Sequence, residues 1–293
     1  MVTEPVLVSS LGRHWGLSDV QVTVHDGGMG SRTWFVDDGA RRWIAKAVAP
    51  ADGPQFAGGL AIAQHLERAG IPAGAALPAA GGQLAVDLDD GWLALLTWVP
   101  GHGLTGQDQA EHHLIGRTLG RVHRALAGYP AGTAQRFHLV DPAAGFLSLR
   151  PWLRPAITAA LDALDAAEPA RMTWGLLHAD PAPGAFRLDP ATGQCGVIDW
   201  SYALHGPLLY DLASAVMYTG GPAHSRELVR AYLSQDTITP DEAARGLAPM
   251  LRFRWAVQAS YFAWRISENN LTGISGPQDN EKGLEDARRF LTP

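Results

Sequence analysis

Only one cysteine, Cys195, stands among 293 residues, so the chain can form no internal disulfide, which suits a reducing compartment. Apolar runs are short, and none approaches the ~20 residues that a membrane-spanning helix needs, so no membrane partner is expected. Acidic and basic residues are mixed along the chain, the formal net charge is −6, and there is no basic stripe. Nucleic acid is therefore not an expected partner. Met1 to Ser10 lack the basic stretch and apolar core of a secretory signal. Together these absences predict a cytoplasmic protein, and nothing in the sequence points to an oligomeric state. Lysine is scarce as well. Of 23 basic residues two are lysines, Lys46 and Lys282, which makes each of them a residue to explain.

What is present describes an ordinary globular protein, with 46% hydrophobic and 18% charged residues in a chain long enough for two cores. Gln21 to His25 alternates apolar and polar residues and reads as a strand. The turn Asp26-Gly27-Gly28-Met29-Gly30-Ser31 follows, then a second strand, Thr33 to Val36. Such a glycine turn lets backbone N–H groups approach a phosphate, although hairpin geometry alone also explains the glycines. A third strand, Arg41 to Val48, carries Lys46 among small and apolar residues. There a lysine is costly unless it is paired or reaches an anion. Phe56 to Ala69 reads as a helix ended by Gly70 and Pro72. Gln83 to Leu88 and Trp92 to Trp98 read as further strands, and Val99-Pro100-Gly101 breaks the pattern at a plausible domain boundary.

Beyond Gly106 the pattern turns helical. Ala110 to Leu126 carries Leu114, Ile115, Leu119, Val122 and Leu126 at helical spacing, and Pro155 to Ala166, Arg226 to Leu233, Ala243 to Glu268 and Glu281 to Phe290 follow. His112 and His113 are adjacent and diverge, so with His123 they make no metal site and read as packing or surface residues. Arg254, Trp255, Tyr261 and Trp264 lie on the longest of these helices, where aromatic residues at this spacing ordinarily face a core.

Two aspartates carry the chemistry. His178-Ala179-Asp180 opens a Pro/Gly-rich loop, and nineteen residues after Asp180 the run Val197-Ile198-Asp199-Trp200 closes a short strand. Phosphoryl transfer needs one carboxylate to orient the attacking hydroxyl and another to hold metal on the phosphates.

This pair resembles the catalytic hairpin of the aminoglycoside phosphotransferase and choline kinase family. In that family His-Gly-Asp is followed by a metal-binding Asn five positions after the Asp, and then by Ile-Asp-Trp or Ile-Asp-Phe. The resemblance implies an α+β, protein-kinase-like two-lobed fold, with a small β-rich nucleotide-binding lobe over 1–98 and a larger, mainly helical lobe over 99–293. It implies an ATP- and Mg²⁺-dependent transfer to the hydroxyl of a small-molecule acceptor. Asp180 would meet that hydroxyl, His178 would brace the loop and Asp199 would hold the metal. Lys46 and the turn with Gly28, Gly30 and Ser31 would take the phosphates, and backbone around Thr97 and Val99 the adenine. By the same resemblance Arg254, Trp255, Tyr261 and Trp264 are candidates for the acceptor pocket.

Three positions depart from the family pattern. Ala185 stands at the metal-binding Asn, Phe56-Ala57-Gly58-Gly59-Leu60 has no acid to pair with Lys46, and Gly206 replaces the usual Asp before Pro207. Asp211 reads as a helix cap. From Gly101 onward 19 acidic residues face 17 basic ones, a weakly anionic balance for a polycationic acceptor. Antibiotic, amino-acid, sugar and amino-alcohol acceptors all stay open. So do a catalytically impaired fold acting as a nucleotide- or ligand-binding regulatory module, and transfer of a group other than phosphate.

Overall fold

The structure is a computed structural model that describes residues 2–25, 30–131, 135–137 and 140–292. Its elements run α1 (Glu4–Trp15), β1 (Gln21–His25), β2 (Arg32–Asp37), β3 (Arg42–Val48), α2 (Gly53–Arg68), β4 (Val86–Leu88), β5 (Gly91–Thr97) and β6 (His102–Gly103). Then come α3 (Gln109–Ala125), β7 (Gln135–Arg136), α4 (Leu153–Ala166), β8 (Trp174–Leu177), β9 (Phe186–Leu188), β10 (Cys195–Val197) and β11 (Leu204–Pro207). The chain closes with α5 (Leu209–Tyr218), α6 (Arg226–Leu233), α7 (Pro240–Ser267) and α8 (Pro277–Leu291).

The chain folds as two compact units. One comprises Met1–Leu104, Pro130–Gln135 and Gly184–Ala203, the other Thr105–Tyr129, Arg136–Pro183 and Leu204–Pro293. This division differs from a single cut after residue 98, because the late strands β9 and β10 belong to the first unit. There β9 pairs with β6, and the Val197 N–H donates to the Pro72 carbonyl at 2.9 Å.

The first unit is built on an antiparallel sheet in the order β1-β2-β3-β5-β4. Successive side chains of a strand point to opposite faces. In β3 this alternation sends Trp43, Ala45 and Ala47 into a core with Leu7 and Leu11 of α1 and with Leu93 and Leu95 of β5. Lys46 and Val48 take the other face, where Val48 and Ala94 pack against Phe56 and Leu60 of α2. The pairing of Lys46 with Ala94 and of Trp43 with Thr97 fixes this register, and a slip of one residue would move the lysine into the α1 core. Helix α1 lies outside the elements read from the sequence. Pro5 in its first turn and left-handed Gly16 at its end bound it, and Leu7 and Leu11 are fully buried.

In the second unit α3 lies against α6 so closely that a Cβ on Gly116 would sit 2.1 Å from the Leu228 carbonyl. Strand β8 pairs antiparallel with β11, and α5 packs against α7. Fully buried Arg265 donates from Nε to Asn280 of α8 at 2.9 Å and from its terminal nitrogen to the Thr272 carbonyl at 2.6 Å, locking the end of α7. No described helix is long and apolar enough to cross a membrane.

Candidate active site

A cavity of about 270 Å³ opens in the first unit on the α2 side of the sheet. Ile44, Leu96 and Ile198 line it with apolar surface, whereas Lys46, Asp199 and Ser31 bring polar groups. Lys46 is buried, and its ammonium lies 2.5 Å from Oδ1 of Asp199. Asp199 is half exposed, and its backbone takes a left-handed φ of 74°, as that of Ala179 takes 72°. Non-glycine residues in this region are strained by of order 1 kcal/mol or more, and such strain concentrates at functional sites.

One position of the acid-free stretch of α2 is closed sterically. A Cβ on Gly59 would stand 2.1 Å from the Trp200 carbonyl, so the face of α2 that meets Trp200 admits no side chain. The nearest acid on α2, Glu67, is committed elsewhere: its carboxylate accepts from the N–H groups of Ala73 at 3.0 Å and Gly74 at 3.2 Å. Lys46 therefore finds its carboxylate on Asp199.

At the other end of β5 the Thr97 N–H donates to the Ala75 carbonyl at 2.9 Å. Val99 lines the same cavity, and among the described residues its N–H has no backbone partner. Gly28 lies outside the described residues. A Cβ on Gly30 would meet the Tyr202 hydroxyl at 1.5 Å, the far end of an exposed side chain that can turn aside, so this contact does not by itself demand glycine. Ala185 offers no ligand side chain, and its carbonyl accepts from the Ile198 N–H at 2.9 Å, fixing the strand ahead of Asp199. Asp189 is spent on the β9–β10 turn, accepting from the Ala191 N–H at 2.9 Å and the Thr192 hydroxyl at 2.8 Å; the Ala191 bond leads in holding its carboxyl below the usual range. No group of three or more His, Cys, Asp or Glu side chains that could hold a metal occurs among the described residues. Any cation beside Asp199 would complete its shell with ligand oxygens and water, as Mg²⁺ commonly does.

Asp180 sits in the second unit, at the end of the segment that leaves β8. Its Oδ1 accepts the Tyr218 hydroxyl and faces the Arg254 guanidinium at 3.5 Å, while Oδ2 has no hydrogen-bond partner among the described residues. Buried Arg254 also donates to Ser214 Oγ at 3.1 Å and to the Tyr218 oxygen at 3.0 Å. Burial works to lower the Arg254 pKa, but the phenols of Tyr210 and Tyr218 and the Asp180 carboxylate outweigh it and raise the value. Burial pushes the Tyr218 phenol up, against the pull of Arg254 and with help from Asp180, so at neutral pH it serves Asp180 as a proton-bearing donor.

The loop that carries Asp180 is clamped from below. Fully buried Asp211 accepts from the N–H groups of His178 at 2.7 Å and Ala179 at 2.9 Å, and lies 3.1 Å from His123 Nε2. His123 in turn meets the Tyr232 hydroxyl at 2.8 Å. Asp211 is thus no cap for α5, because it lies inside the helix and serves the loop instead. His178 is 1% exposed, with its ring Nδ1 3.3 Å from the Asp180 N–H, a bracing position. His112 and His113 go to unrelated partners, the Gly106 carbonyl and Glu227.

Of the residues read as lining an acceptor pocket, Arg254 reaches Asp180. Trp255 is a correction: one residue further round α7 it is buried, with its ring stacked on Phe290 of α8 at 4.2 Å, and it packs two helices. Tyr261 and Trp264 are partly exposed, and the Tyr261 hydroxyl accepts from Arg265 at 3.1 Å. Reading the sequence missed Tyr218, which lies 38 residues from Asp180 with no local pattern to join them. It also missed the cavity residue Arg187, the second residue after Ala185.

A β-rich unit with a lysine–aspartate pair in an apolar cavity, and a helical unit that presents a second aspartate, make up a protein-kinase-like α+β fold. The chain belongs to the phosphotransferase enzyme family, whose model matches residues 21–247. It is 30% identical over 213 residues to a homoserine kinase of Azorhizobium caulinodans, a match covering 68% of this chain and 64% of that protein. The chain therefore spans less than two thirds of that relative's length. Among solved structures, an amicoumacin kinase in complex with AMP-PNP, Ca²⁺ and Ami superposes with a TM-score of 0.76 at 15% identity, covering 99% of this chain and 93% of the other. A microcompartment-associated aminopropanol kinase superposes with a TM-score of 0.73 at 18% identity, covering 99% and 95%.

Proposed function

We propose that the protein is an ATP- and Mg²⁺-dependent O-phosphotransferase acting on a hydroxyl of a small molecule. The observation that carries this reading is buried Lys46 held on Asp199 inside an apolar cavity, in a chain with two lysines in all. The adenine lies in the slot beside Thr97 and Val99, and Lys46, Ser31 and the glycine turn with Gly28 and Gly30 steady the phosphates. Asp199 is the carboxylate that holds Mg²⁺, and the ion when bound neutralises phosphate charge. Asp180 orients the acceptor hydroxyl through Oδ2 and accepts its proton late, while His178 braces the loop. Catalysis on this reading is mainly positioning and charge stabilisation.

The acceptor class we favour is a small amino-acid or amino-alcohol compound with a free hydroxyl, on the strength of the homoserine kinase and aminopropanol kinase likenesses. Arg254 beside Asp180 supplies a fixed positive charge that suits the carboxylate of an amino-acid acceptor rather than the ammonium of an amino alcohol, and Tyr261 and Trp264 are further candidates to touch the acceptor. The test is acceptor-dependent ADP release across L-homoserine, aminopropanol and aminoglycosides. Wild type should turn over at least one of them, and Asp180→Asn should lose most of that turnover while binding ATP nearly as before. Full turnover by Asp180→Asn would sink the assignment.

Ala185 and the closed face at Gly59 favour a second reading, a kinase-like fold that binds nucleotide or another ligand without transferring phosphate. ATP binding with no ADP release across the acceptor panel would select it.

A further inference from the structure

We infer that Arg187 reads the nucleoside half of the bound nucleotide, an inference that rests on the nucleotide reading of the cavity. Arg187 follows Phe186 on β9 and lines the same cavity as Thr97, Val99 and Lys46. Its guanidinium is anchored at one corner, where a terminal nitrogen donates to the Gly101 carbonyl. Its other terminal nitrogen lies beside Gly103, close enough that a Cβ there would touch it at 3.5 Å in ordinary van der Waals contact. Among the described residues the guanidinium pairs with no carboxylate, so a fixed, partly buried cation faces the cavity with donors to spare. Arginine has five N–H donors, no acceptor and a planar face that stacks on aromatic rings. A ligand that offers oxygen or nitrogen acceptors beside a flat ring satisfies both properties.

The register of the sheet places this contact. Lys46 pairs with Ala94 and Trp43 with Thr97, so the lysine end and the Thr97 end of the cavity are three residues apart, about 10 Å along the strands. The carbonyl of Gly101, a few residues past Thr97, holds Arg187 at the end away from the lysine. Ribose and base lie at that end when the phosphates lie at Lys46. Arg187 then donates to ribose oxygens or ring nitrogens and covers one face of the base. Sequence reading gives it no role because an arginine on a short hairpin strand ordinarily faces solvent.

Calorimetric titration of ATP, with adenosine as competitor, into wild type and Arg187→Gln tests this. The expected result is about a tenfold loss of affinity for both ligands, the size of one or two polar contacts. Unchanged affinities, or a loss for ATP with none for adenosine, would overturn it, the second result moving Arg187 to the phosphates. A measurement on unaltered protein guards against a variant that fails to fold. Arginine modification by phenylglyoxal, mapped by mass spectrometry, should be blocked at Arg187 by adenosine and not by tripolyphosphate; the reverse pattern, or no protection, contradicts the inference. Wild type that binds no nucleotide would remove the cavity's reading and this inference with it. Binding by wild type with Arg187 indifferent would remove this inference alone.

Discussion

Lys46 and Asp199 are 153 residues apart in the chain and 2.5 Å apart in space. The lysine is buried and the aspartate half exposed, so the lysine has the greater need of a partner, while solvent can stabilise the aspartate. One carboxylate thereby serves two ends, as counter-ion to the lysine and as the proposed metal ligand. Lys46→Met keeps the length of the side chain and removes the charge. It should weaken ATP by about tenfold or more, ~1.4 kcal/mol per factor of ten, with little change in thermal stability. Calorimetry and a melting curve check both halves of the statement.

Placing an acid at Gly59 should do harm. Gly59→Glu puts a Cβ where the Trp200 carbonyl already stands, 2.1 Å away. Overpacking of this kind costs about 1–3 kcal/mol, so the midpoint of thermal unfolding should fall by several degrees. A variant as stable as wild type, with stronger ATP binding, would show that α2 can move aside.

Much of the first unit was legible, because alternation along β1, β2, β3 and β5 fixes which side chains share a face and leaves Lys46 as the charged exception. Helix α1 is harder to read, because only Pro5 and Gly16 mark its ends and its buried apolar stripe is as short as Leu7 and Leu11. The Asp180 surroundings were legible only in part. Arg254 could be marked on its helix, but its neighbour Trp255 looked equally eligible until the ring was seen stacked on Phe290. Tyr218 and the Asp211 clamp join segments distant in sequence, and no spacing rule connects those. The absence of an acid near Gly59 is visible as a gap in the sequence, and the Trp200 carbonyl that closes Gly59 itself to a side chain is not.

Tyr218→Phe removes one hydroxyl, the donor to Oδ1 of Asp180. If that bond orients the carboxylate so that Oδ2 meets the acceptor, turnover should fall about ten- to a hundredfold with ATP affinity unchanged, a charge-assisted bond being worth roughly 1.5–3 kcal/mol. Steady-state kinetics with whichever acceptor gives ADP release would separate kcat from KM. A change confined to KM would assign Tyr218 to acceptor binding instead.

Burial pushes the phenol of Tyr210 up from 10.0 to about 12. A raised pKa in the folded state means that the neutral phenol is favoured there. The resulting stability is fully present below pH ~10, the unfolded value, and is lost as pH rises toward 12. In an alkaline titration followed by phenolate absorbance, the Tyr210 signal should appear late and together with unfolding, and Tyr210→Phe should remove that component. Ionisation of Tyr210 near pH 10 in folded protein would contradict the burial.

The most direct measurement is a calorimetric titration of ATP, with and without Mg²⁺, into wild type and Asp199→Asn. Wild type should bind ATP at micromolar concentrations and more tightly with Mg²⁺, and the substitution should abolish that gain, because Asp199 is the carboxylate assigned to the metal. No ATP binding by wild type, or a Mg²⁺ gain that survives in Asp199→Asn, would contradict the assignment of this cavity.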